Sequence, residues 1–261
     1  VNNVILLVFE GETAESQIFD SIRKYFFTAA HPPTLQIIFG AEILQLWDAV
    51  HDDEYLDMVE VLRRLKPQGL TGIARDDVSA IYLFFDHDPQ SRPKNPDYEA
   101  NITEMLGIFD NETENGKLYI SYPMIEAIKD CKRDLDSHFE CEVDISDTVD
   151  YKAMVHSRSD FRSIVEYSYQ DWLFLFAVTI LKAIRLVFGT YGSTDYQDFL
   201  RISQKLIHDK QTELFIRPRR SVVILSSVPF FVIGYFGKKR FDALKLASLS
   251  RRCNFFTFPT Q

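Results

Sequence analysis

Two unbroken apolar runs of strand length end abruptly in acids. VILLVF at residues 4–9 closes on Glu10, and IYLFF at residues 81–85 closes on Asp86, His87 and Asp88. Apolar runs without polar alternation read as strands buried on both faces, the habit of a parallel sheet. Between them, Ile18, Phe19, Ile22, Tyr25 and Phe26 fall on one face of a helix predicted over residues 14–27, with Thr13 as its cap. A second strand is predicted at residues 35–40, then a helical stretch over 43–65 with a break at the acidic HDDEY. Beyond the third strand comes a helix over 97–109. NETENGK reads as a polar loop with a glycine turn, and LYISY at 118–122 as a fourth strand. PMIEAIKD reads as the start of a helix, with Pro123 where a missing amide costs nothing. Such a βα alternation calls for a parallel sheet with right-handed crossovers.

From about Cys131 the pattern changes. No strand is secure in residues 131–160, helices are predicted near 161–188, 195–216 and 239–250, and the apolar run 222–236, broken by Pro229 and Gly234, suits strand or helix. The expectation is therefore an α/β chain in two parts: a sheet domain over residues 1–130 and a mainly helical C-terminal region over 131–261. The longest apolar stretch, 172–188, contains Lys182 and Arg185, so it is expected to be a core helix and not a membrane span.

Composition adds a few bounds. An apolar fraction of 46% with 22 phenylalanines over 261 residues implies a sizeable core. Cys131, Cys141 and Cys253 are odd in number and show no CxxC spacing, which predicts neither a zinc site nor a disulfide framework and fits a reducing cytoplasm. No secretory leader pattern opens the sequence. The net charge of −9 argues against a protein that coats nucleic acid, but it is unevenly spread. Residues 201–261 hold 12 Lys and Arg against 3 Asp and Glu, while residues 1–200 hold 17 against 35. Arg217, Arg219, Arg220, Lys238, Lys239 and Arg240 can thus face a polyanion or an acidic partner, or simply water.

The acids carry the chemistry. Open α/β sheets hold ligands at the carboxyl edge of their strands. Carboxylates gathered there repel one another unless a cation sits among them, and oxygen ligands suit magnesium or manganese. Such ions neutralise phosphate oxygens and acidify water, which is what phosphodiester hydrolysis needs. No GxxxxGK[ST], GxSxG, HExxH or Rossmann glycine pattern is present, so ATP hydrolysis by this chain is not expected.

Glu10-Gly11 after the first strand, a helix, and two βα units later an apolar strand ending in Asp86-His87-Asp88 together resemble the Toprim domain. That domain is shared by topoisomerases, primases, overcoming-lysogenization-defect nucleases and small nucleases of bacterial defence loci. The resemblance covers about residues 3–130 and implies a Toprim-like, Rossmann-like fold. It implies Glu10, Asp86 and Asp88 as catalytic, metal-binding acids and Mg2+ or Mn2+ as cofactor. SYPMIE at 121–126 is similar to a segment of the RloB-like branch, which adds Glu126 as a metal ligand. The nuclease branch often carries an acid four residues after the first Glu, where this chain has Ala14; Glu12 or Glu15 can substitute. Arg92, Lys94 and Lys117, on loops expected to leave the same edge, are candidates for holding scissile phosphates. His87 is expected to be structural.

The resemblance implies a metal-dependent nuclease cutting DNA or RNA, transfer RNA included. It would be the toxic effector of an anti-phage defence system, working beside a separate ATPase sensor; a homo-oligomer is compatible and a membrane is not involved. Two other classes remain: a phosphorelay receiver, disfavoured by the long helical stretch before the third strand, and a non-catalytic Toprim-fold subunit of an ATPase complex, favoured by Ala14.

Overall fold

A computed structural model describes residues 3–52, 57–87, 97–134, 141–189 and 194–250. The chain divides into two compact units, one of residues 1–85 and 97–119, the other of residues 86–96 and 120–261.

The first unit is built on a sheet. Its strands are β1 (Val4–Phe9), β2 (Thr34–Ile38), β3 (Val78–Asp86), β4 (Asp110–Asn111) and β5 (Gly116–Ser121), in the order β2-β1-β3-β5-β4. The unit boundary falls after Phe85 in β3 and after Tyr119 in β5. β1 pairs in parallel with both β2 and β3, and all six of its side chains are buried, as its uninterrupted apolar run requires. Each such side chain contributes about 1.5–3 kcal/mol by leaving water. Phe9 stacks on Phe84 at 5.0 Å between ring centroids, and Phe19 meets both at 4.7 and 4.9 Å. Phe19 belongs to α1 (Thr13–Phe26), so this aromatic cluster clamps the first helix to the two central strands. Thr13 is the first helical residue and not the cap: Glu12 occupies the cap position, without a side-chain cap bond.

α2 (Ile43–Asp52) and α3 (Met58–Leu65) replace the single helical stretch predicted over 43–65. HDDEY lies largely outside the described residues; beyond it, the Asp57 carboxylate accepts from the Val59 amide at 2.8 Å and opens α3. α4 (Tyr98–Ile108) follows, and the polar NETENGK segment closes a hairpin, with Asp110 opposite Lys117 and Asn111 opposite Gly116. The first unit is therefore α/β, with helices flanking a mostly parallel five-stranded sheet.

The second unit is mostly helical. A small antiparallel pair, β6 (Glu142–Asp144) with β7 (Ser221–Val223), appears where the pattern of residues 131–160 offered no strand. α5 (Tyr151–Arg158) precedes the long α6 (Tyr169–Phe188). α6 starts at a capping box between Ser168 and Asp171 and ends at Gly189, whose φ of 71° lies in the left-handed region that a β-carbon disfavours. Most of its side chains, Lys182 included, are buried, as expected of a core helix. The stretch predicted as one helix over 195–216 breaks into α7 (Tyr196–Leu200), α8 (Gln204–Gln211), a π turn (Thr212–Ile216) and the short α9 (Arg217–Arg219). At the junction the Gln211 amide donates to the Val223 carbonyl at 2.8 Å and accepts from its amide at 2.9 Å, completing the edge of β7. The ambiguous run 222–236 is both things: β7, then α10 (Val228–Phe236) with Pro229 in its first turn. α11 (Lys238–Ala243) and α12 (Leu246–Ser250) end the described chain. Among the described residues no helix is long and apolar enough to cross a membrane.

One prediction fails at the end of β5. Pro123 does not open a helix: Tyr122-Pro123 is a cis peptide, and only a single 3-10 turn forms at Ile125–Ile128. The reason is long-range pairing. Tyr122 exchanges both backbone hydrogen bonds with Leu225, each 2.9 Å, which holds the chain extended past the strand.

Candidate metal centre

The parallel register of β1 on β3 sets Phe9 opposite Phe84. Glu10 is the next residue after Phe9, exposed at the bend that leaves β1, and Asp86 is the partly exposed last residue of β3. The two strands run parallel, as their uninterrupted apolar runs predict, and an acid stands at the end of each in the chain. Asp88, Arg92 and Lys94 lie outside the described residues.

Gly11 and Glu15 add detail at the start of α1. Glu15 is buried, and a β-carbon placed on residue 11 would stand 2.5 Å from its Oε1 and 2.9 Å from its Oε2. The carboxylate therefore lies directly over the backbone one residue beyond Glu10. Ala14, at the position where the nuclease branch often has an acid, is partly exposed in the same first turn. Glu10 in the first unit and Asp86 at the start of the second each offer oxygen atoms only, the donor type that a hard divalent ion takes.

Lys117 departs from its expected location. It is the second residue of β5, not a loop residue, and pairs with Glu112 at 3.4 Å near the start of the strand. The hairpin made by residues 110–117 puts it there. A cleft of about 480 Å³ lined by residues 36–39 and 65–69 runs along β2 and has no carboxylate in its lining.

In the second unit Glu126 is almost wholly buried on the 3-10 turn. Its Oε1 lies 3.4 Å from the exposed Lys152 ammonium, while Oε2 has no hydrogen-bond partner among the described residues. A few residues on, the buried Asp130 accepts from the Tyr151 hydroxyl at 2.9 Å and from the Arg158 guanidinium at 2.9 and 2.5 Å. Burial and the Asp130 charge push the Tyr151 phenol well up, so it stays a donor at any working pH. Asp130, Tyr151 and Arg158 carried no sequence signal, because their partners are 21 and 28 residues apart.

His87 is fully buried and donates its backbone N–H to the Ser121 carbonyl at 2.9 Å, in keeping with a structural role at the end of β3. Of the C-terminal cations, Arg219 pairs with Glu142 at 3.2 Å, Lys238 with Asp242 at 2.6 Å, and Arg240 donates to the Tyr169 hydroxyl at 2.7 Å. These three are engaged within the chain. No protein-family model, curated protein or solved structure matches this chain.

Proposed function

We propose that this protein is a magnesium- or manganese-dependent nuclease of the Toprim type. The observation that carries the reading is the parallel pairing of β1 with β3, Phe9 opposite Phe84, with Glu10 one residue past Phe9 and Asp86 two residues past Phe84 at the two strand ends. Carboxylates leaving neighbouring parallel strands at their carboxyl ends are the arrangement that a divalent ion needs at the ligand edge of an α/β sheet.

In this reading Glu10 and Asp86 hold the ion, Asp88 completes the pair of acids expected after β3, and Glu15 and Glu126 are supporting acids. A bound divalent ion supplies charge neutralisation at the scissile phosphate and makes water more acidic. The chain's own groups do the rest. Glu10, exposed where Asp86 is only partly so and Glu15 and Glu126 are buried, is suited to take a proton from the attacking water. Asp86, fixed by the strand, sets the position of the phosphate relative to that base, and rigid strand ends keep this geometry. The lack of any ATP-binding motif is compatible with a separate ATPase sensor as partner, in the manner of a defence-system effector.

A second reading, a non-catalytic subunit of the same fold, is favoured by one observation: Ala14 stands where the nuclease branch often has an acid.

The test is incubation of the purified protein with plasmid DNA and with total RNA, with and without Mg2+ or Mn2+. Expected is metal-dependent cleavage that Asp86→Asn and Glu10→Gln each reduce about a thousand-fold, since an ion's Lewis-acid role is worth several kcal/mol. Unchanged melting temperatures would show both variants folded. Cleavage that persists in both variants, or that ignores the metal, overturns the reading; no cleavage of either substrate favours the non-catalytic one.

A further inference from the structure

Three rings form a sealed cluster in the second unit that the cleavage reading does not use. His87 comes directly after β3, Tyr122 directly after β5, and His208 lies in α8; all three are 0% exposed. Their ring centroids are 4.9 Å apart for His87 and Tyr122, 6.2 Å for His87 and His208, and 6.4 Å for Tyr122 and His208. The Tyr122 hydroxyl is 3.0 Å from Nδ1 of His208. A ring nitrogen of His87 and one of His208 lie within 4.8 Å of each other.

The packing has a chemical consequence. A neutral imidazole has one N–H and one lone-pair nitrogen. When Nδ1–H of His208 donates to the phenol oxygen, the lone pair is on Nε2, and the ring is fixed in both tautomer and orientation. Metal-ligating histidines are held in this way, with the second ring nitrogen donating to an oxygen. Two imidazole nitrogens sharing one ion at about 2.0–2.1 Å each stand at most about 4.2 Å apart. The observed spacing is within a small side-chain rotation of that. The two histidines are also held independently of any ion: His87 by its backbone bond to Ser121, and His208 by the helix and Tyr122. Such preorganisation lowers the cost of binding.

We propose that His87 and His208 are ligands of a first-row transition ion, with Tyr122 as the residue that positions His208. Imidazole favours zinc, cobalt, nickel, copper or iron over magnesium, so this ion differs in kind from one held by Glu10 and Asp86. Water or a carboxylate fills the remaining coordination positions. Because His87 immediately follows Asp86, the ion would brace the end of β3.

The proposal does not depend on nuclease activity, and its readout is metal content and spectrum. Full-length protein, prepared free of metal, is titrated with Co2+ and followed by visible absorption and by metal analysis after gel filtration. Expected is one equivalent of Co2+ with ligand-field bands, displaced by Zn2+ and untouched by a large excess of Mg2+. His208→Gln should abolish the bands. Tyr122→Phe, which keeps both ligands and the ring packing, should weaken Co2+ binding about 10–100-fold, the usual cost of losing such a partner. Sub-stoichiometric cobalt in the wild type, bands that survive His208→Gln, or displacement by Mg2+ would each overturn the site. Equal affinity in Tyr122→Phe would overturn the positioning role.

Discussion

The Glu15 carboxylate lies so close over Gly11 that a β-carbon on residue 11 would come within 2.5 Å of Glu15 Oε1. A side chain on residue 11 would thus displace the Glu15 carboxylate, and the buried acid of the first helical turn is set against the bend that presents Glu10. Gly11→Ala must push this carboxylate aside. The displaced atoms are the end of a flexible side chain, so the melting temperature should change little. Cleavage should fall roughly 100-fold, the scale of loss from an ångström of misplacement near a reacting centre. Comparing the thermal melt with the cleavage rate checks this; a rate equal to wild type would separate Glu15 from the chemistry.

Glu126 is buried, with one oxygen that has no hydrogen-bond partner among the described residues and an exposed lysine as its ion-pair partner. An incompletely paired buried carboxylate costs stability, so Glu126→Gln should leave the protein as stable as wild type or more so. If Glu126 also serves the metal, the same variant loses cleavage. Urea unfolding and the cleavage assay on one preparation read both; a loss of about 2 kcal/mol or more would mean that the Lys152 pair is a real support.

Asp130 is the opposite case, a buried acid whose oxygens are both used by Arg158 and Tyr151. Arg158→Met strands that charge. Breaking one side of a buried pair costs about 3–5 kcal/mol, which should appear in the urea midpoint at unchanged slope.

Burial pushes the Cys131 thiol up to about 12, the Lys182 charge only partly opposing it. The thiolate is the reactive form, so Cys131 should resist alkylation at pH 8 in the folded protein and react once unfolded. A variant with Cys141 and Cys253 changed to serine isolates the reading, made by mass after iodoacetamide treatment. The partly exposed Cys141 should label before Cys131 in the wild type.

Asp171 is pushed up by burial, but the Ser168 amide and hydroxyl and the Arg133 guanidinium outweigh this and hold its carboxyl below the usual 3.8. Arg133 reaches it at 2.6 Å while lying over the Phe161 ring at 4.4 Å. A lowered folded value means stability that is present above pH 3.8 and lost as pH falls through the folded value. The stability gap between wild type and Arg133→Met should therefore be full at pH 7 and shrink below pH 3.8 to what the lost ring contact accounts for. Urea titrations at pH 7 and pH 3 measure it; an equal gap at both would assign Arg133 a packing role alone.

What the sequence determined by itself is what local pattern can encode. Burial on both faces of β1 and β3 needs uninterrupted apolar residues, and such runs are visible without any partner. The acids that end them, the amphipathic face of α1 and the core helix α6 are legible for the same reason. The tertiary structure decided whatever depends on residues far apart in the chain. Tyr122 stays extended because Leu225 pairs with it, against the local preference of Pro123 for a helix start. β7 gains its edge partner from the Gln211 side chain, and Asp130 its charge partner from Arg158, neither of which has any periodic signature. His87 and His208, 121 positions apart, meet only when the second unit packs, because periodicity reports which face is apolar and not which distant side chain will lie against it.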